Sequence, residues 1–157
     1  MVTVTISVTV PAGLVVASNQ RLHWAVEAGR VAKIREMAWG AWVAAGRPQF
    51  ESACIVVGID YPDRRRRDAA NLHPTLKALV DGMVTGPSTF MDAGGCLLPD
   101  DDDEHLTGPF PVPTGDLVPR QAGERAFRFH VRVSDIPGGM LGTPRRNRLN
   151  NNTDEKR

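Results

Sequence analysis

The chain has 157 residues, 41% of them hydrophobic, and a formal net charge of +1. This length suits one domain with a loose end, and the apolar fraction excludes wholesale disorder. So small a net charge excludes inferring nucleic-acid binding from global charge, although residues 1–140 carry 14 Lys+Arg against 16 Asp+Glu and residues 141–157 carry five against two.

The first element is a strand. Val2, Val4, Ile6, Val8 and Val10 alternate with Thr3, Thr5, Ser7 and Thr9. A period of two in β-branched residues means one buried face. Pro11 ends it, and residues 13–20 read as a loop. Over 24–45, Val31, Ile34, Ala38, Ala41, Trp42 and Ala45 recur at helical spacing, with Gly46 suited to the C-terminus. Residues 51–60 form a largely apolar second strand. Asn71 is a good N-cap for a second helix with Pro74 in its first turn and Leu76, Leu79, Val80 and Met83 on its apolar face. Residues 84–99 read as loop, and 108–123, with four prolines, as another. Residues 126–135 alternate again, Phe127, Phe129, Val131 and Val133 opposing Arg128, His130 and Arg132. After Pro137-Gly138-Gly139 the composition turns Arg- and Asn-rich, as in a flexible tail.

The expectation is an α+β fold: a small mixed β-sheet with two main helices packed on one face, in β-α-β-α-β order. Residues 1–137 form the domain and 138–157 the tail. Cys54 and Cys96 have neither metal-binding spacing nor the look of a disulfide framework, which points to a reducing cytoplasm. No apolar stretch is long enough for a bilayer and no secretory signal is visible, so no membrane partner is expected.

Two clusters carry chemistry. Arg64, Arg65, Arg66 and Arg67 follow Asp63 and precede Asp68. Four consecutive guanidinium groups repel one another and gain from a polyanion, and arginine forks onto phosphate oxygens better than lysine. A solvated loop is the simpler reading of the same run. The second cluster is Asp100, Asp101, Asp102, Asp103 and Glu104. Crowded carboxylates favour a hard cation such as Mg²⁺, which needs only one or two of them, although a solvated acidic turn would look the same. Asp68 and Asn71 also suit helix starts, and Lys77 suits an intrahelical pair with Asp81.

In order, Asp68, Asn71-Leu72, Lys77, Asp81-Gly82 and Leu98-Pro99-Asp100-Asp101 resemble the RusA family of Holliday-junction resolvases. Asn19 and Arg21 are similar to the polar loop that follows the family's first strand. The resemblance runs from the first strand to about Asp135. It implies a homodimeric, Mg²⁺-dependent endonuclease of phage or prophage type that nicks four-way DNA junctions symmetrically. It further implies that Asp68 and Asp101, with Asp100 or Asp102 as register alternatives, bind metal. Lys77 is then catalytic once residues 73–75 are counted as an insertion. Arg64, Arg65, Arg66, Arg67, Asn71, Asn19 and Arg21 are then DNA contacts.

There are two departures. Ala70 stands where the family pattern often has a second acidic residue, and residues 84–95 lengthen the usual connection. The first leaves two explanations open: the acidic cluster at 100–104 replaces the lost ligand, since Mg²⁺ tolerates a minimal protein shell, or the protein binds junctions but cuts them weakly or not at all. A regulatory protein whose arginine loop meets an acidic partner is the third alternative.

Overall fold

The computed structural model describes residues 1–87 and 95–137, so the tail and most of the lengthened connection lie outside the described residues. The chain runs β1 (Thr3–Pro11), α1 (Trp24–Ala44), β2 (Ala53–Tyr61), a 3₁₀ turn η1 (Ala69–Leu72), α2 (His73–Val84), β3 (Leu106–Leu117) and β4 (Ala126–Asp135). The strands form one mixed sheet in the order β1-β4-β2-β3, with β4 antiparallel to both neighbours and β2 parallel to β3. Among the described residues no helix is long and apolar enough to cross a membrane.

The alternation read in β1 and β4 is the alternation of the sheet. Val4, Ile6, Val8 and Val10 lie opposite Val133, Val131, Phe129 and Phe127, and Ile55, Val57 and Ile59 of β2 continue these rows. Apart from the partly buried Val4, these side chains are buried and meet Ile34, Ala38 and Trp42 of α1 and Leu76, Leu79 and Met83 of α2. Both helices therefore cover one face of the sheet. Among the described residues no helix covers the other face.

α1 keeps its expected span. It stops in a Schellman arrangement: Gly46, at φ 88°, donates to Val43 O, and Arg47 N donates to Trp42 O. α2 is buried more completely than its apolar stripe implies, because Thr75, Ala78, Gly82 and Val84 are covered as well. Gly82 is where α1 crosses it. A Cβ there would stand 2.5 Å from Arg35 O.

Two local expectations are corrected. Asn71 does not cap α2. The Asp68 side chain caps η1 by accepting from Ala70 N at 3.0 Å, and α2 continues directly from η1 with no side-chain cap of its own. Pro74 does lie in the first turn.

The proline-rich stretch 108–123 is not wholly loop. Up to Leu117 it is strand β3, so the β-α-β-α-β order gains a strand. Pro109, Pro111 and Pro113 are spaced by two, so their missing N–H groups fall on one side. On the outer side of an edge strand no ladder bond is lost.

Candidate functional site

The loop 12–20, the arginine loop and the start of α2 bring part of the sequence candidates together. The loop 12–20 is pinned to the start of α2. The buried Thr75 hydroxyl donates to Val16 O at 2.7 Å and accepts from Val16 N at 2.9 Å. Ser18 N donates to Asn71 O at 2.8 Å, and Ser18 Oγ reaches Asn71 Oδ1 at 3.2 Å. Asn71 thus ties loop to turn. Asn19, Gln20, Arg66, Arg67, Asp68 and Asn71 line a shared cleft of about 760 Å³. Arg21 is exposed beside this loop and does not line the cleft.

The four arginines divide. Arg67 folds inward, donating to Asp63 Oδ1 at 2.6 Å and lying over the Tyr61 and Phe127 rings at 5.3 and 5.5 Å. Arg125 also pairs with Asp63. The hydrogen bond from Arg67, with a further one from Arg65 N, holds the Asp63 carboxyl well below the usual carboxylate range against the opposing effect of burial. Asp63 is the organiser of this loop, which the sequence reading missed. Arg64, Arg65 and Arg66 remain exposed, with Arg65 only loosely paired to Asp63 at 3.8 Å.

A smaller recess of about 110 Å³ is lined by His73, Lys77, Asp81 and Asp101 with Gly108 and Pro109 of β3. Lys77 Nζ donates to Asp81 Oδ1 at 3.2 Å and to Asp101 Oδ2 at 3.1 Å. The hydrogen bond to Asp101, then that to Asp81, raises the Lys77 pKa above its ordinary value despite partial burial. The same bond from Lys77 lowers that of Asp101.

The other members of the acidic run are turned elsewhere. Asp100 accepts from Asp101 N at 2.8 Å. Asp102 Oδ1 caps Glu104 N and His105 N, both at 3.1 Å, and meets the His105 ring at 2.5 Å. His105 is held above its usual pKa by that carboxylate. Asp101 is therefore the member of the cluster that faces the helix lysine.

Asp68 lines the larger cleft and Asp101 the recess, and no residue lines both. The two adjoin in sequence where η1 runs into α2, with Leu72 lining the first and His73 the second. The carboxylate grouped with Asp101 is Asp81, not Asp68. Among the described residues no group of three or more His, Cys, Asp or Glu is placed to hold a metal. The pair Asp81 and Asp101 already shares one cation, the Lys77 ammonium, each through a single oxygen. Such a donor set suits Mg²⁺, which completes its shell with water and phosphate oxygens.

Comparison with protein-family models finds no match, and neither does comparison with curated proteins.

Proposed function

We propose that this chain is a Mg²⁺-dependent, structure-selective endodeoxyribonuclease that resolves four-way DNA junctions by paired symmetric nicks, acting as a homodimer. The observation that carries this reading is the meeting of Asp101 with Lys77 and Asp81. A lysine and two carboxylates, one of them 24 residues away in the chain, converge in a recess whose His73 follows, in sequence, Leu72 of the cleft that Arg66 lines.

Arg64 and Arg66 would hold backbone phosphates, giving binding a steep salt dependence. Asn19 and Asn71 would hydrogen-bond the strand in the cleft. Asp101 and Asp81 are the two carboxylates that would hold Mg²⁺, while Asp68 lines the other cleft. When bound, that ion supplies Lewis acidity toward the phosphate and lowers the pKa of water. Lys77 keeps its proton at neutral pH as an ordinary lysine does, and its hydrogen bonds to Asp101 and Asp81 favour the charged form further. It therefore acts as a cation and hydrogen-bond donor toward the charge that develops on the phosphate, not as a base. A two-fold dimer would present two such sites to a junction of matching symmetry.

Ala70 favours a second reading, in which the protein binds junctions and cuts them poorly. Its side chain is exposed and supplies no ligand.

A synthetic four-way junction assayed with Mg²⁺ or with chelator separates the readings. The nuclease yields paired nicks only with Mg²⁺. Lys77→Ala and Asp101→Asn then each lower the rate by roughly 10²-fold or more, the usual size for losing a group that stabilises transition-state charge, while junction binding survives. Binding without nicks, with activity gained by Ala70→Asp, selects the second reading. No preference for junction over duplex at matched salt removes both and leaves the arginine loop to an acidic protein partner.

A further inference from the structure

The face of the sheet that no described helix covers is a second surface, and the nuclease reading makes no use of it. Its side chains form a grid read directly from the strand register. One row is Thr5, Arg132, Val56 and Phe110. The next is Ser7, His130, Gly58 and Val112, and the third begins Thr9, Arg128 and Asp60. Phe110 is 49% exposed and Val112 47%, although both lie in a strand.

The centre of the grid is rigid. Asp60 is buried, and both its oxygens are used: Thr114 Oγ1 donates to Oδ1 at 2.5 Å and His130 Nε2 donates to Oδ2 at 2.9 Å. With that tautomer, His130 Nδ1 accepts from Ser7 Oγ at 2.8 Å. The ring is fixed between Arg128 and Arg132, two residues to either side on the same strand face.

The occupant follows from charge and shape. The grid has two guanidinium groups, a row of hydroxyls along β1 and an exposed aromatic ring. The one carboxylate within these rows, Asp60, is buried and spoken for. A second copy of these rows would bring Arg128 and Arg132 toward their own counterparts with Asp60 unavailable to meet them. A flexible polyanion with flat apolar groups fits better, because phosphates meet Arg128 and Arg132 while a base stacks on Phe110. That pairing of basic groups with an aromatic platform is how single-stranded nucleic acid is held without sequence preference. Duplex DNA, with its bases stacked inside, cannot use the ring.

We propose that the open face of the sheet binds single-stranded nucleic acid, with Phe110 as stacking platform and Arg128 and Arg132 as phosphate contacts. The assignment does not depend on the nuclease reading.

The test is fluorescence anisotropy of the full chain with a labelled oligothymidine and with a duplex of equal length. Measurements cover a range of salt, for the native protein, Phe110→Ala, Arg132→Gln and Thr5→Glu. The native protein is expected to favour the single strand. Phe110→Ala should weaken that binding roughly tenfold, the scale of one lost base stack. Arg132→Gln should reduce the salt slope by about 0.7, the value of one phosphate contact on a single strand. Thr5→Glu sets a carboxylate opposite Arg132 on an exposed strand position and should weaken binding without changing the melting temperature. Duplex binding and junction cleavage should be unaffected by all three. The proposal is overturned if single-strand binding is absent or unchanged by the three variants. It is equally overturned if light scattering shows that they dissociate a dimer, since the face then belongs to a second copy.

Discussion

Arg67 and Arg66 are neighbours in one run of identical residues, yet they have different work. Arg67 has a side-chain exposure of 20% and is held by Asp63 and two rings, whereas Arg66 faces solvent at the cleft. Arg67→Gln should therefore lower stability by about 1 kcal/mol through the ring contacts alone. Arg66→Gln should leave stability within error and weaken DNA binding. Urea denaturation of both variants beside a salt titration of binding checks the split. Equal effects of the two on stability would mean that the loop is not organised around Asp63.

Asp60 offers a pH-dependent counterpart. Burial by itself would raise its pKa, but the hydrogen bonds from Thr114 and His130 outweigh it and hold the group below its ordinary value. A carboxylate depressed in the folded state stabilises above its unfolded pKa, near 3.9, and that contribution fades as pH falls through the lower folded value. The stability difference between the native protein and Asp60→Asn should shrink as pH falls below about 4. A gap that widened on acidification would contradict the assignment.

At the level of elements, the decisive contact is between α1 and α2. Gly82 lets α2 approach the backbone of α1 at Arg35, and Arg35 in turn donates to Gly86 O at 2.9 Å beyond the end of α2. Gly82→Ala removes a helix-weakening glycine, which alone would stabilise by somewhat under 1 kcal/mol. The new methyl, however, meets backbone that cannot rotate away. Overpacking of this kind costs about 1–3 kcal/mol, so a net loss is expected in chemical denaturation. The shift would also displace Lys77 and Asp81, which α2 carries, so junction cleavage should fall with it. β3 teaches a related lesson. Its prolines read as loop because a proline cannot donate to a ladder, but an edge strand needs donors on one side only.

For the molecule as a whole, one sheet has a covered face and an open face, and the two should respond differently to truncation. Phe129, fully buried against the helices, should cost about 3–5 kcal/mol as Phe129→Ala. Thr5→Ala on the open face should change stability by no more than about 0.5 kcal/mol. Comparable losses at both positions would show that the open face is covered in solution.

Read in isolation, the amino-acid order was enough for the α+β class, the spans of α1, β2 and β4, and the inward rows of β1 and β4. Periodicity records which side of an element avoids water, and that is a local property. Also legible were the candidate residues themselves, Lys77 and the acidic run among them. Several matters depended on the fold: the choice of Asp101 over its neighbours, the pairing with Asp81, the inward turn of Arg67, and the line from Ser7 through His130 to Asp60. Identical side chains in a run are chemically indistinguishable until a tertiary contact differentiates them. Residues from four strands become one surface only when hydrogen-bond register aligns them.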